Sequence, residues 1–219
     1  MSAAGVGDLV LRVDGRRPVS AAGVEEVLRL CDRAEDGYKA GVFVAYVSGA
    51  PLPGWTAALD VGLLTKWERA VRRLERLGLT TVAVAAGDCG GTALDVLLAT
   101  DFRIAVPGVR LVPPIEGEAT WPGMSLFRLA RQGGLSAGLR RAALLGTPVE
   151  AATAGLVDVV AEEPDSVLAE VAAAAAAFTG KELAIRRQLL LDAVQYSFEE
   201  ALGAHLAACD RALRRGAAS

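Results

Sequence analysis

The patterning of this chain predicts an α/β fold, a mainly parallel sheet flanked by helices and followed by a helical C-terminal region. Three observations carry that prediction. Short, nearly continuous apolar runs such as GVFVAYV (41–47) suit strands covered on both faces. Segments of helical period alternate with them, the mark of βαβ units. Residues 81–105, TVAVAAGDCGGTALDVLLATDFRIA, compress a buried strand, a Gly-Gly turn, a short helix and a second strand into one run.

Taken in order, DLVLRV (8–13) alternates and ends in Asp14-Gly15, a strand with its turn. SAAGVEEVLRLCDRAE (20–35) opens on the N-cap candidate Ser20 and repeats apolar residues at Val24, Val27, Leu28 and Cys31, an amphipathic helix. The strand at 41–47 leads through a Pro/Gly loop (50–54) to a helix over 58–78, with Leu64, Trp67, Val71 and Leu74 on one face. From 124 onward helices are expected at 124–132, 136–145, 148–155, 165–179, 181–194 and 197–214, with one strand at 157–161. The alanine run 172–177 belongs inside a helix, since alanine is the best helix former. The last helix carries an apolar stripe, Leu202, Leu206, Cys209 and Leu213, which suits packing on its own domain or across a subunit boundary. Residues 1–160 are expected to form the core and 161–219 a helical region of the same domain.

Composition narrows the function. At 219 residues and 53% hydrophobic, the chain can bury a core without staples. No apolar run reaches the length of a membrane span, and MSAAGVGDLV lacks the basic and apolar regions of a signal peptide, so a cytoplasmic protein with no membrane partner is expected. A net charge of −3 with scattered Lys and Arg gives no nucleic-acid surface. Cys31, Cys89 and Cys209 are odd in number and unevenly spaced, as reduced thiols would be, and with His205 the single histidine they make no zinc pattern. GDCGGT has neither phosphate-loop nor dinucleotide spacing. A Ser-His-Asp triad has no serine in the glycine turn, and 113 residues separate Thr92 from His205.

What remains is acid–base chemistry beside a helix start. A strand ending in Gly-Gly at a helix N-terminus presents backbone N–H groups, aided by the helix dipole, to developing charge on a carbonyl oxygen. Asp95 lies four residues beyond Gly91, close enough to move a proton beside such a carbonyl. It could equally be an early-helix carboxylate interacting with the dipole. Cys89 in the turn lacks an evident base and reads as a buried thiol.

This stretch resembles the active-site segment of the crotonase (enoyl-CoA hydratase/isomerase) superfamily, and further matches follow in the family's order at VFVAYVSGAPLPGW (42–55), VRLVPPIEGEATWPGM (109–124), RRAALLGTPVEAATAGLVDVV (140–160) and YSFEEAL (196–202). The resemblance covers roughly residues 8–210 and implies a crotonase-like ββα spiral, an acyl-CoA thioester as substrate, and no cofactor beyond the coenzyme A that the substrate carries. It also implies a homotrimer or hexamer, alone or with a crotonase paralogue, built through the C-terminal helices.

The resemblance places Asp95 on the family's first catalytic glutamate, six residues before Asp101. It places Ile115 at the second acid, with Glu116 beside it and Glu118 close by. One oxyanion donor falls on Gly91 or Thr92. The other falls on Gly54 or Trp55, because Pro53 has no N–H. Hydratases grip one water between two carboxylates, so orthodox hydration is not expected here, whereas proton shuttling on an enolate needs only one. Taken together, KWERAVRRLERL, GDCGGTALD and ATWPGM most resemble the small crotonase-like proteins of 3,5-dihydroxyphenylglycine biosynthesis. That implies assistance in dehydrating and aromatising a polyketide-derived acyl-CoA. The alternative is a non-catalytic homologue that acts as a structural partner of the synthase or of a catalytic paralogue.

Overall fold

The structure is a computed structural model that describes residues 9–37, 41–134, 136–176 and 180–216. Five parallel strands form the frame in the order β1 (Val10–Asp14), β2 (Val42–Gly49), β3 (Thr80–Gly90), β4 (Phe102–Ala105) and β9 (Val159–Val160). The predicted parallel sheet is therefore present. The central strands β2 and β3 are covered on both faces, which is why they read as nearly continuous apolar runs. Phe43, Ala45, Val47, Ala83 and Ala85 face one core with α1 (Ala21–Gly37), α2 (Val61–Leu74) and α3 (Gly91–Leu98). Val42, Val44, Val82 and Val84 alternate onto the other face, where Leu168 and Ala175 of α6 (Pro164–Ala175) cover them. Ser20 caps α1, its Oγ accepting from the Gly23 amide at 3.1 Å.

The helix expected from residue 58 begins at Val61, because the Asp60 carboxylate accepts the Leu63 amide at 2.8 Å and fixes the first turn there. The expected Gly-Gly turn is also different. β3 continues through Gly90, and α3 starts directly on Gly91. The break lies earlier, where pairing jumps from Ser48–Ala86 to Gly49–Cys89 and Gly87 takes a φ of +61°. That irregularity turns the end of β3 away from β4 and onto β5 (Arg110–Val112).

The glycines at 90 and 91 serve close approach. A Cβ on Gly90 would lie 2.5 Å from the Val112 carbonyl oxygen, and one on Gly91 would lie 2.6 Å from Pro51 Cγ. Gly91 also has a φ of +51°.

The helix expected at 148–155 does not form. Val149–Glu150 is a short strand, β8, antiparallel to β5, followed by turns to Gly155. Pro148 favours an extended exit from α5 (Ala137–Leu145), and Leu111, fully buried, gives Val149 a partner across the pair. The remaining expected helices are α4 (Met124–Gly133), α5, α6, α7 (Lys181–Ala193) and α8 (Phe198–Gly216), with 177–179 of the expected 165–179 lying outside the described residues.

Two arginines lock the later chain to the sheet. Arg103 donates to the Leu97, Leu98 and Thr100 carbonyls, closing the end of α3, and to Gln132 of α4 at 2.6 Å. Arg187 of α7 clasps both oxygens of Asp101 at 2.6 Å and donates to the Leu77 and Leu79 carbonyls. Asp101 is thus a structural hub, accepting also from the amide and hydroxyl of Thr81. α8 packs on α7, where Glu182 holds Arg211 and Arg215. Its stripe is not covered by its own domain: Leu202, Leu206, Cys209 and Leu213 are exposed.

Candidate functional site

α3 carries seven consecutive buried residues, Thr92 to Leu98, so a carboxylate within it must be enclosed. Asp95 is enclosed. One of its oxygens accepts the indole N–H of Trp67, on α2, at 2.9 Å. Burial pushes its carboxyl up to about 7, reinforced by the negative charge of Glu68 and opposed by the Trp67 hydrogen bond and the Arg128 guanidinium. Desolvation dominates because the charged form loses water and regains, among the described residues, one hydrogen-bond donor. Arg128, on α4, is itself buried and pairs with Glu68 at 3.0 Å and Glu75 at 3.7 Å. Glu75 in turn receives Arg72.

The predicted second acid stands apart. Glu116 is the last residue of strand β6 (Ile115–Glu116), which turns through Gly117 and Glu118 into β7 (Ala119–Thr120). Ile115, Glu116 and Glu118 are all exposed. The hairpin is tied down at Ile115, whose carbonyl accepts from Trp55, and at Thr120, whose hydroxyl donates to the Ala143 carbonyl, while the Glu116 side chain stays exposed.

The predicted donors divide in the same way. Trp55 is buried and its ring packs edge-on against Trp121 at 5.1 Å, while its Nε1 donates to the Ile115 carbonyl at 3.2 Å. Its backbone amide already donates to the Leu52 carbonyl at 3.2 Å, which leaves Gly54, at φ +79°, as the donor in that loop. Gly91 and Thr92 open α3, where first-turn amides have no acceptor within the helix. The Thr92 hydroxyl donates to the Arg17 carbonyl at 3.4 Å. Pro51 packs beside Gly91, so closely that a Cβ there would meet it.

Gly54 and Glu116 line a cleft of about 480 Å³ with Pro51, Pro53, Pro113, Pro114 and Pro148. Thr92 and Trp67 line another cavity, of about 750 Å³. Asp95 lines neither of these. The structure therefore brings Asp95 and the α3 start together on one helix, and Gly54 and Glu116 together on one cleft, without merging the two groups.

Trp67, Glu68 and Arg128 were not among the sequence candidates. Two of them, Trp67 and Arg128, nevertheless had a signal. A buried tryptophan needs an acceptor for its N–H, and Arg128 falls with Ser125 and Leu129 on the i, i+3, i+4 face that α4 buries. The thiols of Cys31 and Cys89 are pushed up to about 12 by burial, which makes them poor nucleophiles. Among the described residues, no group of three or more His, Cys, Asp or Glu could hold a metal, and no helix is long and apolar enough to cross a membrane.

The chain is 59% identical over 216 residues to an enoyl-CoA hydratase of Amycolatopsis orientalis, an alignment that covers 97% of this chain and 99% of the relative. An enoyl-CoA hydratase/isomerase family protein of Silicibacter pomeroyi shares the fold with a TM-score of 0.77 at 20% identity, over 94% of this chain and 95% of that one. An enoyl-CoA hydratase/isomerase of Marinobacter aquaeolei does so with a TM-score of 0.75 at 17% identity, over 94% and 87%. No family model matches the sequence.

Proposed function

Because the chain belongs to the crotonase (enoyl-CoA hydratase/isomerase) superfamily, we propose that it assists the dehydration and aromatisation of a polyketide-derived acyl-CoA to 3,5-dihydroxyphenylacetyl-CoA, in dihydroxyphenylglycine biosynthesis. The observation that carries this reading is the enclosed carboxyl one turn inside α3. Asp95 is held by Trp67, has no second hydrogen bond among the described residues, and is poised to exchange a proton near neutral pH.

In this reading the ionised Asp95 accepts a proton from the carbon beside the thioester carbonyl. The carboxyl so formed returns that proton to the departing hydroxyl, which leaves as water, and the carbon–carbon double bond forms in its place. The amides of Gly54 and of Gly91 or Thr92 would hold the carbonyl oxygen as it gains charge. Glu116, in solvent, has no part in the step.

The second reading is a non-catalytic partner of the polyketide synthase or of a catalytic crotonase paralogue. It is favoured by the separation of Asp95 from the cleft at Gly54 and Glu116. Under either reading the protein works in the cytoplasm as a homotrimer or hexamer, alone or with the paralogue. The exposed stripe of α8 supports that assembly. The only cofactor is the coenzyme A of the substrate.

Reconstitution with the synthase and malonyl-CoA separates the readings. Asp95→Asn preserves shape and removes proton transfer, so it should lower the enhancement of dihydroxyphenylacetyl-CoA formation by at least about tenfold. Unchanged enhancement by a normally folded variant would leave the partner reading.

A further inference from the structure

Trp67 is 3% exposed, and its indole N–H reaches 28 residues along the chain to a buried carboxyl. A core tryptophan needs an acceptor, but a main-chain carbonyl or a hydroxyl would satisfy it without enclosing an ionisable group. Burying a carboxyl instead carries a desolvation cost that packing alone does not require. Trp67 and Thr92 both line the cavity of about 750 Å³, so the residue that holds Asp95 also borders the space beside the first turn of α3. On the far side, Glu68 and Arg128 line a separate cleft of about 470 Å³ between α2 and α4.

We propose that Trp67 is a positioning residue for Asp95: its N–H fixes one carboxyl oxygen in place, which leaves the other to exchange the proton. The inference rests on the catalytic reading of Asp95 given above. The charged groups that act on the carboxyl come from two elements. Glu68 on α2 favours its neutral form, and Arg128 on α4 favours its charged form. Beyond them Glu75 and Arg72 complete the chain of ion pairs, Glu75 to Arg128 and Arg72 to Glu75. The indole N–H, donating to an anion, also favours the charged form.

Two variants should therefore move the titration of Asp95 in opposite directions. Trp67→Phe keeps a buried ring and removes the donor, so the midpoint should rise by about one pH unit, a tenfold loss of ionised form at fixed pH. Glu68→Gln removes the repelling charge and frees Arg128 to act on Asp95, so the midpoint should fall. Glu68 is partly exposed, which keeps this variant foldable should Trp67→Phe be damaged.

The midpoint is read from the carboxyl carbon resonance in protein labelled at aspartate, assigned by its disappearance in Asp95→Asn. The enhancement of dihydroxyphenylacetyl-CoA formation is followed across the same pH range with synthase and malonyl-CoA. Opposite shifts in both readouts support the proposal. A structural hydrogen bond alone would lower activity without moving the pH profile, and that result overturns it. If Asp95→Asn abolishes enhancement while both variants titrate as the native protein does, the positioning inference alone has failed. If Asp95→Asn leaves enhancement intact, the catalytic reading has failed and the inference with it.

Discussion

The enclosure of Asp95 makes stability depend on pH in a direction opposite to that of a paired surface carboxylate. Its ordinary value is 3.8 and burial raises it to about 7 in the folded chain. Between those limits the folded state holds a proton that the unfolded state has released, so stability falls as pH rises. The penalty is absent below the unfolded value, grows through the interval and is constant above about pH 7. A shift of roughly three units corresponds to about 4 kcal/mol in full. Between about pH 5 and about pH 8 the change amounts to about 2.5 kcal/mol.

Asp95→Asn removes the titration and keeps an oxygen to accept the Trp67 N–H. The comparison is urea unfolding of the two proteins at those two pH values, where other titrating groups cancel in the difference. The variant should gain about 2.5 kcal/mol on the native protein as pH is raised. A difference that stays constant with pH, to within about 0.5 kcal/mol, would show that the carboxyl titrates at its ordinary value and that its burial is relieved by some other route.

Arg187→Met should destabilise the fold by about 3 kcal/mol in denaturant titration, since it removes the clasp on Asp101 and leaves the Leu77 and Leu79 carbonyls without their donor. The isolated protein should hydrate crotonyl-CoA at well under about 1 per second, measured by loss of enoyl-thioester absorbance, and turnover near the common value of about 10 per second would show that Glu116 swings inward. Leu206→Lys on the exposed face of α8 should lower the solution mass towards that of a monomer at micromolar concentration. An unchanged mass would move the assembly surface elsewhere.

Periodicity along the chain was enough to determine that the strands expected at 41–47 and from 81, found at 42–49 and 80–90, are covered on both faces, that helices alternate with them, and that Asp95 lies one turn inside α3. Those properties are local, because burial on both faces or on one stripe leaves its mark on neighbouring residues. Tertiary structure alone decided what each of them meets. The helix expected over 148–155 gave way to the strand Val149–Glu150 because β5 offered an edge. Gly90 and Gly91 looked like a turn and proved to be points of contact with Val112 and Pro51.

For the site the division is sharper. The sequence placed an acid on a helix and another in a loop, but only packing could join Asp95 to Trp67, Glu68 and Arg128 and leave Glu116 in water. The physical reason is that desolvation and charge depend on distance in space. Asp95 meets a donor 28 residues back, and Glu68 meets its guanidinium 60 residues on, separations over which the pattern of side chains carries no information.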